Sequence, residues 1–386
     1  MITFSTISPI YLSENPILIN ATTSDATTTF IALEVYIDGD LVGARLHAKP
    51  QDGAVSIDIH TMIHAQLIEQ YQSIVVIEED YRIRKPAECV VKAAEVIAGV
   101  TGSFTDATPF FVMLGKVETD DFYQAFNNSN AFLTTYPNRE EIGVNSPQFL
   151  TYFNHTAATL TGGFTNVIAV GTYTDGTTAT AYKAIGETLE QYDCLIINVN
   201  PEKLGLVTDN LRSYKLYVLH DGVQLSENRY YTIRATPDYY NDVLYFNEYY
   251  APHTLRLTGD WATGLKTDYS RYQTEEGYDQ TTQNDTTNIR AKGGFFSQAQ
   301  SKALKALYKR GKLFHIEGDF ATLLLLDKKK WKITSAFKFL YIINLTMTIA
   351  QKKQETNNRA LHQAGFTDIP TPVVVGPGGT GGAGDD

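Results

Sequence analysis

The sequence predicts a mainly β protein: tandem antiparallel β-sandwich domains followed by a smaller α+β C-terminal domain. Three observations carry this. Tyr (24 residues) outnumbers Phe (19) and Trp (2), and Tyr together with abundant Thr suits a pleated, half-buried surface. Short β-prone runs follow one another at close spacing, punctuated by Gly, Pro and Asp, which is the pattern of antiparallel sandwiches. Asp-Gly pairs at 38–39, 175–176 and 221–222 interrupt those runs, and Asp-Gly supplies the positive φ angles of a tight hairpin. The length of 386 residues predicts two to four domains at about 100–200 residues each.

The elements follow in order. Residues 1–100 are assigned to a first sandwich. Residues 30–37 and 41–46 form a hairpin across Asp38-Gly39, residues 53–59 another strand, 61–70 a short helix, and 73–77, 81–84 and 89–100 further strands. Residues 101–145 form an irregular connector, with Asn127-Asn128-Ser129-Asn130 and Pro137-Asn138 and one strand candidate at 110–114. Residues 146–260 form a second sandwich. Its strands at 164–173, 193–199, 213–219, 231–234 and 243–246 repeat the earlier order, and Tyr231-Thr-Ile-Arg echoes Tyr81-Arg-Ile-Arg. This predicts an internal duplication.

Residues 269–288 are polar, rich in Thr, Gln and Asn and almost devoid of aliphatic side chains, and 261–289 are assigned to a polar exposed loop. A basic α+β domain is assigned to 290–353. There Ser297 caps a helix running to Lys309, with Ala303, Leu304, Leu307 and Tyr308 on one face and Gly311 as its stop. Strands follow at 312–316, 320–326, 331–334 and 337–349. Residues 354–386 are a Pro- and Gly-rich flexible tail.

Charge is segregated along the chain. Residues 1–289 hold 17 basic and 36 acidic residues, a net of −19, whereas 290–353 hold 14 basic and 3 acidic, a net of +11. A basic end can meet the acidic body of a neighbouring subunit, it can neutralise phosphate, or its lysines can be a solvated face. The candidate interface residues are Lys302, Lys305, Lys309, Arg310, Lys312, Lys328, Lys329 and Lys330. No nucleic-acid motif accompanies them, so nucleic acid is not an expected partner. The apolar stretches at 323–326 and 339–343 are too short for a membrane span of about 20 residues, and the N-terminus lacks a basic leader with an apolar core; a soluble protein is expected.

No catalytic signature stands out, and no enzyme activity and no cofactor are expected. The sequence has neither a G-x-S-x-G elbow nor a phosphate-binding G-x-x-x-x-G-K-[ST] loop. Glu78-Glu79-Asp80, Glu140-Glu141 and Glu275-Glu276 are adjacent carboxylates, which point to opposite faces of a strand. His60 and His64 have the i, i+4 spacing of metal ligands but no motif-linked third ligand, so no metal site is assigned. Cys89 and Cys194 lie in separate strand-like runs and are expected to be buried free thiols. Tyr249, Tyr250, Tyr269, Tyr272 and Tyr278 are candidate exposed aromatic contacts, able to stack on sugar rings or anchor an interface.

Several stretches together resemble a known family. They are Ser13-Glu14-Asn15-Pro16-Ile17, the strand–Asp-Gly–strand pattern, Asn228-Arg229-Tyr230-Tyr231 leading to Leu244-Tyr245-Phe246-Asn247, and Thr254-Leu255-Arg256-Leu257-Thr258-Gly259. The chain resembles, loosely over residues 10–350, the tail-associated virion structural proteins of tailed phages that infect Bacteroidota. Where those proteins have a Gly-rich bend with an acid, this chain has Tyr249-Tyr250-Ala251-Pro252-His253. The resemblance implies fibronectin type III-like sandwiches and a place in the virion at a tail tip, ring or baseplate. It also implies cyclic self-association and docking to neighbouring tail proteins. A carbohydrate-binding adhesion module, contacting host surface glycan through the tyrosines, is the second expectation.

Overall fold

The structure is a computed structural model that describes residues 1–50, 53–70, 79–117, 132–234, 240–274, 277–310, 312–317, 320–337 and 340–349. The strand expected at 73–77, the Asn127–Asn130 stretch, Gly311 and the tail at 354–386 lie outside the described residues.

The first half is built from β1 (Ile2–Phe4), β2 (Ile10–Leu12), β3 (Leu18–Thr23), β4 (Phe30–Ile37), β5 (Asp40–Ala48), β6 (Ala54–Asp58), α1 (His60–Gln70), β7 (Tyr81–Arg84), β8 (Ala87–Ile97), β9 (Val100–Thr101), β10 (Thr105–Asp106) and β11 (Phe110–Met113). One sheet has the order β1-β3-β6. The other runs β2-β11-β8-β4-β5, with β9 and β10 also paired to β8. The period-2 alternation of β4 sends Ile31, Leu33, Val35 and Ile37 inward. They meet Ile17 just before β3, Ile19 and Ala21 of β3, Val55 and Ile57 of β6, and Ile63 and Leu67 of α1. At the β4–β5 turn, Asp38 (φ 49°) and Gly39 (φ 90°) take consecutive positive φ, the geometry that matches the right-handed twist of the flanking strands.

The second half contains β12 (Arg139–Gly143), β13 (Phe149–Phe153), β14 (Thr165–Tyr173), β15 (Thr178–Ile185), β16 (Cys194–Asn198), β17 (Leu211–His220), β18 (Val223–Gln224) and β19 (Arg229–Arg234). Its larger sheet has the order β12-β19-β17-β14-β15, with β18 on β17, and it faces β13-β16. The two halves have corresponding topologies. In each, a short strand (β2, β12) runs parallel to the last strand of its sheet (β11, β19), and a central strand pairs with a hairpin partner (β4–β5, β14–β15). In each, the next strand of that sheet turns back on itself through a short hairpin (β8–β9, β17–β18). The chain therefore contains tandem β-sandwiches of the immunoglobulin and fibronectin type III-like kind.

The Tyr-x-Ile-Arg echo does not mark equivalent positions. β19 is the counterpart of β11, while β7 leaves the first sandwich and pairs with β16 at the edge of the second. Nor is 101–145 wholly irregular, because β11 completes the first sandwich and β12 the second.

The third unit begins earlier than residue 261, at β20 (Asn241–Phe246) and β21 (Pro252–Leu257). It continues through β22 (Trp261–Thr274), β23 (Gly277–Phe296), α2 (Gln298–Ala303), α3 (Lys305–Arg310), β24 (Lys312–Glu317), β25 (Phe320–Leu326), β26 (Lys332–Phe337) and β27 (Leu340–Ile349). The sheet order is β21-β20-β24-β25-β27-β23-β22, with β26 also on β27. The sheet curls on itself. Gly259 donates to the Lys292 carbonyl (3.1 Å) and Lys292 donates to that of Asp260 (2.8 Å), tying the end of β21 to β23. A β-carbon at Gly259 would sit 2.5 Å from the Lys292 oxygen, so this approach requires glycine.

Two short helices replace the single one expected, and Ala303, Leu304 and Leu307 pack onto the sheet with Val243, Leu257, Leu313, Ile343 and Met347. Ser297 does cap them. Its Oγ accepts from the Gln300 amide (3.2 Å) and the Gln300 side chain accepts from the Ser297 amide (2.9 Å), a capping box. The segment expected as a loop at 261–289 is instead the outer part of a long hairpin, β22–β23.

A buried middle layer joins the three units. Every position of β13 and β16 is buried. Leu150, Tyr152, Leu195 and Ile197 face the second sandwich core. On the other face, Phe153 and Cys194 meet Ile10, Leu12 and Met113 of the first sandwich and Ala251 of the third unit, while Phe149 and Ile196 meet Leu244 and Ile316 of the third sheet. Strands with both faces covered read as continuous apolar runs, and Phe149-Leu-Thr-Tyr-Phe and Cys194-Leu-Ile-Ile-Asn are such runs.

Candidate functional site

Lys309 and Lys328 to Lys330 of the basic end form one ridge. The turn after β25 is closed by Lys330 N donating to the Asp327 carbonyl (3.0 Å) and Lys329 N donating to the Asp327 carboxylate (3.1 Å). This short-range chemistry presents Lys328, Lys329 and Lys330 to solvent. Lys328 donates to the Lys309 carbonyl at the end of α3 (3.0 Å), joining turn and helix. Its ammonium also lies 5.8 Å from the Tyr308 ring centroid, and Tyr308 stacks on Trp331 at 4.9 Å. Lys309 pairs with Glu248 (2.9 Å) and Lys330 with Asp327 (3.3 Å), both largely in water, where such pairs contribute about 0–1 kcal/mol. Lys312 is exposed on β24. Lys302, Lys305 and Arg310 lie on α2 and α3, and their side chains are outside the described residues.

Tyr249 and Tyr250 are not the open stacking platform expected of them. Both are half-buried in the β20–β21 turn, where Tyr250 takes φ 50° and Asn247 receives the Tyr249 amide (2.8 Å). Their carbonyls accept from Arg84 of β7, at 3.3 Å for Tyr249 and 2.8 Å for Tyr250. Burial, reinforced by the charge of Glu248, pushes the Tyr249 phenol up to about 12. These residues belong to the seam between units. Tyr269, Tyr272 and Tyr278 lie on β22 and β23, with side chains outside the described residues.

A second constellation, which sequence reasoning did not single out, lies where β12 and β19 of the second sandwich meet β21. The buried Arg229 guanidinium donates to Glu140 (2.9 Å) and to the Pro137 carbonyl (2.9 Å). Gln148 donates to the other Glu140 oxygen (3.0 Å) and accepts from the Thr254 amide (2.9 Å). The His253 ring stacks on Tyr136 with centroids 3.8 Å apart, and its Nε2 lies 3.9 Å from Glu140. Burial, then the Arg229 charge, holds His253 down to about 3, so the ring is neutral at pH 7. Burial also raises Glu140, against the opposing pull of Arg229 and Gln148. Glu141, its neighbour, is exposed, as strand alternation requires.

Above this knot a polar cleft of about 480 Å³ opens between the second sandwich and the third unit, lined among others by Arg139, Glu141, Arg234, Arg256 and Ser297. Arg256 grips Asp242 through Nε (2.8 Å) and Nη2 (2.6 Å) while lying 3.8 Å over the Tyr240 ring. A β-carbon at Gly143 would overlap its guanidinium. The Thr254 amide donating to Gln148 ties β21 to the second sandwich, and the chemistry of the knot is that of a rivet. The sequence signal was an Arg at position 229 within a tyrosine-rich strand.

The remaining sequence candidates are separate. His60 pairs with Asp58 (2.8 Å), whereas His64 faces Ser13 Oγ (2.9 Å). Among the described residues no group of three or more His, Cys, Asp or Glu could hold a metal ion. Cys89 and Cys194 are free and buried, as expected. Burial pushes the Cys89 thiol up to about 12 and raises that of Cys194.

No family model and no curated protein matches the chain. The solved structures that it is similar to include an ectodomain fragment of ICAM-5, 10% identical, covering 76% of this chain and 71% of that one with a TM-score of 0.23. The sandwich assignment therefore rests on this chain's own strand order and register. No helix among the described residues is long and apolar enough to cross a membrane.

Proposed function

We propose that this chain is a non-enzymatic structural component of a phage tail assembly, at a tip, ring or baseplate. In this reading it self-associates symmetrically and docks to neighbouring tail proteins through its basic end. The observation that carries the reading is the middle layer: β13 and β16 are buried on both faces by all three units, and β7 of the first half completes the second sandwich. A chain locked in this way presents its charged surfaces at fixed positions, which repeated docking in a ring requires. The lysine ridge supports the reading, since it concentrates positive charge at one corner of an otherwise acidic molecule and complementary fields fix register.

The glycan-binding reading loses its Tyr249 and Tyr250 platform, which is part of the internal seam. Light scattering of the purified chain at low and high salt, alone and with its neighbouring tail proteins, tests the proposal. Assembly at low salt that weakens as salt rises is expected. A strict monomer under every condition would overturn it.

A further inference from the structure

The β22–β23 hairpin runs well past the sheet that supports it. β23 pairs with β27 only from Asn288 (opposite Thr348) onward. Beyond that point ten further residue pairs, Leu265↔Thr287 to Thr274↔Gly277, are made by β22 and β23 with each other alone among the described strands. At roughly 3.3 Å per residue these pairs make a ribbon about 33 Å long.

Two physical facts make this arm an interaction element. An isolated two-stranded ribbon is marginally stable in water and needs a packed face or a further strand. Residues 265–287 offer one aliphatic side chain, Leu265, so they cannot build a core of their own. The arm is also charged unevenly. Its outer part, residues 272–287, holds Glu275, Glu276, Asp279 and Asp285 and no basic residue. The exposed lysines at 309, 312, 328, 329 and 330 form the opposite surface. Lys330 lines a cleft at the arm's own base with Gly264, Asn288 and Arg290, and the outermost described pair, Thr274↔Gly277, stands ten residue pairs along the ribbon from that base.

Building on the assembly reading above, we propose that the acidic outer half of the β22–β23 arm of one copy docks against the lysine ridge of a second copy of this chain. Each copy then gives one arm and receives another, a head-to-tail contact that closes into a ring or continues as a stack. A ribbon two strands wide, about 10 Å across and 33 Å long, covers about 330 Å² with one face. That is under half of the roughly 800 Å² per partner of a stable standard interface. One arm alone therefore holds a partner weakly, and the contact acts through repetition.

Two full-length variants test this, Tyr278→Cys on the arm and Lys329→Cys on the ridge. The native thiols are buried, so a short bismaleimide reads the introduced ones. The two chains, one carrying a size tag, are mixed at low salt and cross-linked. A mixed covalent dimer is expected, mapped to positions 278 and 329, and lost at high salt or when Lys328 and Lys330 are also changed to Glu. If the untagged wild type assembles by light scattering but no mixed dimer forms, the arm proposal is wrong and the assembly reading stands. If the wild type remains monomeric in all conditions, both are wrong. A chain with residues 268–283 replaced by Asn-Gly gives a second readout: loss of the assembled species supports the proposal, and unaltered assembly by a folded arm-less chain overturns it.

Discussion

Acidification should weaken the seam between the second sandwich and the third unit through His253. In the native chain burial holds this imidazole to about 3, while an unfolded histidine titrates at about 6.5. Between those values the unfolded chain binds one proton more than the folded one, so stability falls as pH drops below the unfolded value. Each pH unit in that window removes about 1.4 kcal/mol per proton, so the loss from this residue is about 2 kcal/mol at pH 5 relative to pH 7. Glu140 acts in the opposite sense, because burial raises it and its protonation in the folded state relieves a cost. The comparison must therefore be between the wild type and His253→Gln, in which Glu140 remains. Both tryptophans, Trp261 and Trp331, belong to the third unit, so their fluorescence during urea unfolding reports on the body that carries His253. The wild type should lose about 2 kcal/mol more than the variant between pH 7 and pH 5. Parallel losses in the two proteins would show that His253 titrates normally in the folded state and would refute the argument.

Three further outcomes are expected. Arg229→Met leaves Glu140 buried without its ion pair and should cost about 3–5 kcal/mol by urea unfolding, whereas changing Glu140 to Met as well should recover much of that loss; a single variant within about 1 kcal/mol of wild type would contradict the burial of the pair. Ser297→Ala removes the capping box on α2 and should cost about 1 kcal/mol, measured by the same melts. Neither Cys89 nor Cys194 should react with a thiol reagent in the native protein, and both should react after denaturation; labelling of either thiol in the native state would contradict their burial.

What was legible in the sequence is what short-range chemistry decides. Asp38-Gly39 and Asp221-Gly222 take consecutive positive φ because the Asp-Gly pair accommodates a tight turn, and the Ser297 cap needs only residues three apart. The hairpin strand at 30–37 is another such element, set by the Asp-Gly turn beside it. What was not legible depends on distant partners. β7 reads as an ordinary strand of the first half, and only the open edge of β16 in the second half explains its position. Arg229, Gln148 and His253 acquire their roles through Glu140, a partner as many as 113 positions away. The arm was read as a loop because it lacks an apolar stripe, yet backbone pairing between β22 and β23 is indifferent to side-chain polarity. The boundary expected near residue 260 failed on similar grounds, since Val243 to Phe246 suits any sheet and its neighbour β24 lies some 70 residues downstream.

The rigidity of the body and the weakness of a single arm contact bear on one another. A contact of about 330 Å² gives lasting association only if making the second and third contacts costs little additional ordering. Freely jointed domains would lose that orientational freedom again at each subunit. Here the cost is met during folding, because the middle layer and the hydrogen bond from the Thr254 amide to Gln148 fix the second sandwich relative to the third unit before any partner arrives. Weakening the seam at low pH should therefore reduce assembly together with third-unit stability. Salt acts differently: it screens arm against ridge over a Debye length of about 10 Å at 0.1 M while leaving the buried seam intact. Acid and salt should thus dissociate the assembly by separable routes, with loss of third-unit stability accompanying the first and not the second.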